Sequence, residues 1–251
     1  MELTVIGSGT GVPSLRRGSP CLAVKAGGRL LVLDLGAGSL RALLCHGLNF
    51  SAIDVLALTH LHPDHVGDLI PFLFATRYSL GYTRTEPFRL LASRGFARFH
   101  NLLKEAFAGW VEPPAGLMDL KELAPDGPDE VRDHDVVIKS APTNHTAGSL
   151  AYRVEAQGRS LVYSGDTDVS DSLVDLAKNA DLLVLEAAHP FKVQGHLTPV
   201  EAGYLAARAG VSRLLLTHFY PSCDAVDVVG QAGKEFPGEV IRAEDGLSLT
   251  V

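Results

Sequence analysis

Hydrophobic and polar positions along this chain alternate in short blocks, punctuated by glycine-rich turns. Leu3–Ile6 reads as a strand running into the turn Gly7-Ser8-Gly9-Thr10-Gly11. Cys21–Lys25 and Arg29–Asp34 form a predicted hairpin through Gly27-Gly28, a pair suited to the positive φ angles of a two-residue turn. Ser39–His46 has helical spacing, with Ser39 placed as an N-cap. The run Asp54–Leu58 reads as a buried strand, Val66–Thr76 as a helix, Arg89–Ser93 as a strand and Phe96–Ala108 as an amphipathic helix. Pro125–Asp135 is acidic and loop-like. Strands are then expected at Val136–Ser140, Ser149–Ala156 and Ser160–Tyr163, the last two joined at Gln157-Gly158. Asp171–Asn179 is helical, Leu182–Glu186 a buried strand, Thr198–Ala209 a helix, Arg213–Thr217 a strand and Ala225–Glu235 a helix. Glu239–Arg242 with Leu247–Val251 is expected to close the sheet. Strand-rich blocks with interspersed helices suit an α/β fold in which two sheets pack face to face with helices outside. No linker, repeat or low-complexity tract divides the chain, so residues 1–251 are read as a single domain.

Composition narrows the partners more than the fold. At 251 residues and 46% hydrophobic content the chain can bury a substantial core. No apolar run approaches the roughly 20 residues needed to cross a bilayer. The start, Met1-Glu2-Leu3-Thr4, carries no basic leader, so neither a membrane span nor a signal peptide is expected. Cys21, Cys45 and Cys223 stand at unrelated spacings and read as free thiols of a reducing, cytoplasmic compartment. The net charge of −7, with 22 basic against 29 acidic residues, argues against gripping the phosphates of an extended nucleic acid. A small substrate suits that balance better.

The chemistry concentrates in Thr59-His60-Leu61-His62-Pro63-Asp64-His65, directly after the strand-like Asp54–Leu58. Three imidazoles and a carboxylate crowd onto a loop at a strand end. His60 and His62 can reach one ion together, while Asp64 and His65 turn the other way, towards a second. Neutral imidazole and carboxylate are suitable ligands for zinc, manganese or another divalent metal.

His-x-His-x-Asp-His after a strand resembles the signature of the metallo-β-lactamase superfamily, and other motifs of that family follow in order. The resemblance implies an αββα sandwich of two mixed β-sheets flanked by helices. It further implies that His145 is the third histidine, Asp166 in Ser164-Gly165-Asp166 the bridging carboxylate and His218 the last histidine. On this reading one metal takes His60, His62, His145 and Asp166, and the other Asp64, His65, Asp166 and His218. Two zinc ions so held lower the pKa of a shared water and stabilise the oxygens of an in-line displacement, with Asp64 as both ligand and proton acceptor. Asp34, which looks like the family's early aspartate, is read as an acceptor that fixes a ligand histidine through its other ring nitrogen.

Glu186 and His196 narrow the resemblance to the RNase Z branch, where a strand-terminal glutamate pairs with the histidine of a His-x-Thr motif. A carboxylate that orients an imidazole makes it a good proton donor to a leaving alkoxide. Thr198-Pro199-Val200-Glu201 after it reads as a capping box. The chain departs from full RNase Z in two places. The tRNA-binding arm would lie between His145 and Asp166, where this sequence has room for one hairpin only. The family's Arg-Tyr pair after the last histidine is replaced by Tyr220-Pro221-Ser222-Cys223. The expected activity is therefore dizinc hydrolysis of small or cyclic phosphodiesters, with the hydroxide supplied by the metals and Asp64, His196 and Glu186 as catalytic groups. A tRNA 3′-processing endoribonuclease, or a lactonase or thioesterase on the same fold, are the alternatives. Arg16, Arg17 and the Tyr78–Arg84 stretch with Tyr82 are expected at the substrate rim, and the resemblance suggests a homodimer.

Overall fold

The computed structural model describes residues 1–78 and 86–251. Tyr82 and most of the stretch around it lie outside the described residues. The chain first lays down β1 (Glu2–Gly7), β2 (Cys21–Ala26), β3 (Arg29–Leu33), β4 (Val55–Ala57), β5 (Phe88–Ser93) and β6 (Met118–Leu123). Helices α1 (Ser39–Cys45), α2 (Pro63–Val66), α3 (Leu69–Tyr78) and α4 (Phe96–Ala106) fall between these strands. A second set follows: β7 (Asp129–Asp133), β8 (Val136–Pro142), β9 (Leu150–Ala156), β10 (Arg159–Tyr163), β11 (Leu182–Glu186), β12 (Arg213–Thr217) and β13 (Glu239–Arg242). Its helices are α5 (Asp171–Ala177), α6 (Pro199–Ala209) and α7 (Val228–Ala232). The last strand, β14 (Ser248–Thr250), returns to the first sheet beside β1.

Each sheet has seven strands, ordered β14-β1-β2-β3-β4-β5-β6 and β13-β12-β11-β10-β9-β8-β7. Both are mixed: β1 to β3 and β7 to β10 run antiparallel, whereas β3 to β6 and β10 to β13 run parallel. The central strands are apolar on both faces because each sheet is covered twice. Leu31 and Leu33 of β3 point into the core shared with Tyr152, Leu161, Leu183 and Leu216 of the second sheet. The intervening Val32 packs with Leu43, Phe72, Phe88 and Phe96 beneath the helices of the first half. Each such fully buried side chain contributes about 1.5–3 kcal/mol. This is the layered αββα sandwich, and the parallel strands leave β3, β4, β10, β11 and β12 ending where ligands bind in mixed α/β sheets, at their carboxyl ends.

Several local expectations are corrected. Ser39 is the first helical residue and not the cap; the N-cap is Gly38, whose N–H and that of Leu40 are both accepted by the Asp68 carboxylate at 2.9 and 2.8 Å. A remote carboxylate thus does what a local hydroxyl was expected to do. Pro125–Asp135 is only partly a loop, since β7 occupies Asp129–Asp133 as a charged edge strand, and β6 was not foreseen. The terminal segments close two sheets and not one, β13 in the second and β14 in the first. The helix expected over Val66–Thr76 is divided between α2 and α3, and that over Ala225–Glu235 shrinks to α7, where Asp227 caps Gly230 N–H at 2.8 Å. Among the described residues, no helix is long and apolar enough to cross a membrane.

Candidate metal centre

Asp34 follows β3 with a left-handed backbone, φ 58°, a conformation that aspartate tolerates better than most residues. Its fully buried carboxylate is the hub of the loop around it. Thr59 donates to it from its N–H at 2.7 Å and from its hydroxyl at 2.9 Å, Tyr163 from its phenol at 2.9 Å, and His65 Nδ1 lies at 2.7 Å. The contact to Nδ1 turns Nε2 of His65 away, towards Asp166. Pro63 opens the short α2, so Asp64 and His65 project from a helical turn, while His60 and His62 precede it in extended chain. Gly11 of the first glycine-rich turn donates to Asp64 Oδ2 at 3.1 Å. Asp166 follows β10 through Gly165, where φ is +57° and a Cβ would lie 2.6 Å from that of Thr59. No other residue fits there.

Asp166 stands at the middle of the cluster. His60 Nε2 and His145 Nε2 face its Oδ2 at 3.8 and 3.7 Å. His65 Nε2 and His218 Nε2 face Oδ1 at 3.2 and 3.3 Å. His62 Nδ1 is 3.1 Å from His145 Nε2, and Asp64 Oδ2 is 3.8 Å from His65 Nε2. Ligand-type atoms of His60, His62, His145 and Asp166 lie within 4.8 Å of one another, as do those of Asp64, His65 and His218. The structure thus brings together all seven residues singled out as metal ligands. His218 adopts φ 60°, unusual for a histidine and the kind of backbone strain that functional sites retain.

The donor set fits divalent metal. His60 Nε2, His65 Nε2 and Asp166 Oδ1 are buried and, among the described residues, make no hydrogen bond. A buried polar atom left unsatisfied costs about 1–3 kcal/mol, so such a set is unfavourable unless cations are meant to sit among the atoms. Burial, with His65 nearby, pushes His60 down to about 2, and burial takes His218 to about 4 despite Asp166. Both are therefore neutral imidazoles, the form that binds metal. Burial would lower His65 too, but the carboxylates of Asp166 and Asp34 outweigh it and hold it well above the ordinary value. Asp166 is held well below the carboxylate range, as the imidazoles of His218 and His65 overcome its burial.

Beside this cluster, Glu186 ends β11 fully buried and accepts the N–H groups of Thr167 (2.7 Å), Leu197 (3.2 Å) and Ala188 (3.3 Å). Its Oε1 lies 2.9 Å from His196 Nδ1. Burial pushes Glu186 up to about 7. Burial would lower His196, but the hydrogen bond and charge of Glu186 hold it above the ordinary value. The pair therefore keeps a proton near neutrality. A ring nitrogen of His196 lies within 4.8 Å of ligand atoms of Asp166 and His218. The loop carrying His196 is pinned by Lys192, whose ammonium meets Asp168, the His196 carbonyl at 3.0 Å and Glu201 at 3.1 Å. Gly195 is held at both ends, donating to Asp168 at 3.2 Å and meeting His145 Nδ1 at 2.9 Å through its carbonyl. The capping box of Thr198 and Glu201 starts α6 just after.

The substrate-rim expectation needs correction at Arg17. Its guanidinium is buried, donates to Ser8 Oγ at 2.8 Å and to the Ala243 carbonyl at 2.9 Å, and pairs with Asp224 at 3.1 Å. A guanidinium with three partners inside the fold is a strut and not a substrate contact. Arg16 is exposed and reaches Asp224 at 3.7 Å. A cavity of about 210 Å³ adjoins His60 and His62 and is lined also by Ser93, Arg94 and Thr146. Sequence reasoning missed Arg94, and it missed Thr59, Tyr163, His189 and Tyr220. The last two ring systems stack at 4.2 Å beside His196 and His218. Only the third dimension signals them, since each is unremarkable in its own stretch of chain. Cys223 is buried with its thiol against the Ala187 and Ala188 carbonyls, and burial pushes it up to about 11, so it packs inertly.

Comparison with known proteins agrees with this architecture. A model of the beta-lactamase superfamily domain matches residues 32–219. Ribonuclease Z of Mycolicibacterium paratuberculosis is 34% identical, with 98% of this chain and 96% of that protein aligned. Ribonuclease Z of Mycobacterium avium is 33% identical over the same shares of each chain. Among solved structures, the metallo-β-lactamase fold protein YhfI of Bacillus subtilis superposes with a TM-score of 0.84 at 24% identity, covering 99% of both chains. The short form of human tRNase Z gives 0.79 at 24% identity, covering 100% of this chain and 99% of that one. At such identities the structural likeness carries the fold alone.

Proposed function

Because the chain belongs to the metallo-β-lactamase superfamily, in its ribonuclease Z-like branch, and is a metal-dependent hydrolase, we propose that it cleaves phosphodiester bonds in small substrates. The observation that carries this reading is the Glu186–His196 pair, 2.9 Å apart at the edge of the candidate metal cluster. In our reading His60, His62, His145 and Asp166 hold one zinc or similar ion, and Asp64, His65, Asp166 and His218 a second. Ions bound there supply Lewis acidity, which activates water and stabilises charge on phosphoryl oxygen. The protein's own part is proton management and exclusion of disorder. Glu186 accepts from Nδ1 of His196, which leaves Nε2 as the donor to a departing alkoxide. Such a donor is wasted on a good leaving group and needed for a sugar hydroxyl, which is why the pair points to a phosphodiester of an ordinary alcohol.

Substrate size follows from what lies between His145 and Asp166. That interval holds β9, its turn and β10, so no arm projects there to clamp a folded RNA. The net charge of −7 points the same way. A second reading, maturation of RNA 3′ ends, is favoured by relatives named Ribonuclease Z that align with 98% of the chain. We read residues 1–251 as one domain because both sheets contribute to one core, and the branch resemblance supports a homodimer. The free thiols Cys21, Cys45 and Cys223 suit the cytoplasm. A panel assay of zinc-supplied protein against bis(p-nitrophenyl) phosphate, cyclic nucleotides, lactones and precursor tRNA tests the reading. Hydrolysis of the diesters is expected to dominate. Precursor tRNA cleaved far more efficiently than any small diester would replace it with the second reading, and lactone turnover alone would refute both.

A further inference from the structure

The cavity of about 210 Å³ beside the metal cluster has no part in the chemistry of Glu186 and His196. His60 and His62 belong to its lining, so a group that fills it lies directly against two of the side chains grouped around Asp166. A site that encloses a whole small ligand takes roughly 300–1,000 Å³, so this cavity suits one group of a substrate whose phosphate is held next door. Its polar lining has two atoms groups in need of partners. Ser93 Oγ is buried and, among the described residues, makes no hydrogen bond. Gly148, at φ +85°, leaves room in front of that hydroxyl, since a Cβ there would lie 2.9 Å from it. Arg94 is exposed, and with Arg41 and Arg98 it is one of the described arginines that have no hydrogen-bond or ion-pair partner for the guanidinium. Of these three only Arg94 lines the cavity. Its backbone is fixed: the Arg94 N–H donates to the Leu123 carbonyl at 3.0 Å, and the N–H groups of Gly95 and Ala97 donate to Glu122 at 2.8 and 2.9 Å.

We propose that Arg94, with the Ser93 hydroxyl, holds a second anionic group of the substrate, a phosphate or carboxylate joined by a short linker to the phosphoryl group at the cluster. A guanidinium presents a planar fork of N–H donors to the paired oxygens of such a group, and the hydroxyl adds one more donor. In a chain of net charge −7 a second anion needs a local cation, and Arg94 supplies it in the cavity that His60 and His62 border. The substrate class so named, a phosphodiester that carries a further oxyacid group, rests on the phosphodiesterase reading. Binding at Arg94 is measurable without hydrolysis, so the two can fail separately.

The test is equilibrium binding by calorimetry of n-propyl phosphate, trimethylene bisphosphate and β-phosphooxypropionate to the zinc-supplied protein. The last two add a terminal phosphate or carboxylate to the same short chain. The wild type should prefer at least one of them to n-propyl phosphate by about tenfold or more, the effect of a hydrogen bond to a charged group. Which of the two is preferred identifies the second anion. Arg94→Ala should bring the preferred probe down to the level of n-propyl phosphate, and Arg94→Lys should keep part of the preference, as a charge without the fork. The exposure of Arg94 makes both variants foldable. Arg41→Ala removes the same charge outside the cavity and should leave the preference intact. A wild type that binds neither dianionic probe better than n-propyl phosphate, a preference that survives Arg94→Ala, or one lost equally in Arg41→Ala overturns the proposal. If the preference behaves as expected but no diester is hydrolysed, Arg94 stands as an anion site and the phosphodiesterase reading falls.

Discussion

Replacing Asp34 by asparagine is the sharpest single perturbation of the buried network behind the metal cluster. The backbone should tolerate it, since asparagine accepts the left-handed φ of 58° about as well as aspartate. The hydrogen bonds should not. The carboxylate now accepts from the Thr59 N–H, the Thr59 hydroxyl, the Tyr163 phenol and His65 Nδ1. An amide offers one acceptor oxygen and turns an NH₂ group towards the remaining donors. The hydroxyls can rotate, but the Thr59 N–H cannot. His65 can respond only by accepting at Nδ1, which moves its proton to Nε2, the nitrogen that faces Asp166 at 3.2 Å. One buried unsatisfied group costs about 1–3 kcal/mol. The tautomer switch blocks a ligand atom, and losing the partner of a metal-bound histidine typically weakens metal binding about 10–100-fold. Urea unfolding of metal-free protein should show the first effect, and zinc competition against a chelator the second. Asp34→Ala should be worse, because alanine adds about 1 kcal/mol of left-handed strain. Wild-type stability together with wild-type zinc affinity in Asp34→Asn would refute the claim that Asp34 sets the His65 tautomer.

His196→Ala should slow hydrolysis of a nucleoside or alkyl diester roughly 10²–10⁴-fold. It should slow a nitrophenyl diester far less, with metal content unchanged, and equal losses on both substrates would remove His196 from the donor role. Glu186→Gln should follow the same pattern more mildly, checked by the ratio of kcat/KM on the two substrates. In the turn that follows His218, partial burial pushes Asp224 up, but Arg17, Arg16 and Arg242 outweigh it and hold it below the ordinary carboxylate range. Its folded-state value is thus depressed, so its contribution is complete above the ordinary range and is lost as pH falls through the depressed value. Urea midpoints measured from neutrality downwards should therefore fall less steeply in Asp224→Asn than in the wild type, from a lower starting stability because buried Arg17 loses its carboxylate partner.

Much of this was legible in the sequence because the determining interactions are local. The His60–His65 segment, Gly165-Asp166 and the strand-terminal Glu186 each announce themselves within a few residues. Apolar runs such as Leu182–Glu186 and Arg213–Thr217 are buried on both faces, and no other placement satisfies them. What escaped depends on distant partners. Asp68 caps α1 from another loop, which no reading of Ser39 could reveal. The charged β7 is a strand only because β8 lies beside it. Arg17 looked like a surface cation beside Arg16, yet Asp224, Ala243 and Ser8, all contributed by other elements, draw it inside. Tyr220 was noted only as a departure from a family motif, and its stacking on His189 needs two loops folded together.

The central claim is that Asp166, with one oxygen turned to each group of histidines, joins two metal ions into one centre. Metal content after zinc supplementation and desalting, measured for the wild type and for Asp166→Ala, tests it most directly. The wild type should approach about two equivalents per chain, and the variant, while retaining the wild-type circular dichroism spectrum, should lose affinity at both sites together. A folded wild type that retains almost no zinc, or an Asp166→Ala variant that loses one equivalent and keeps the other at full affinity, would contradict it.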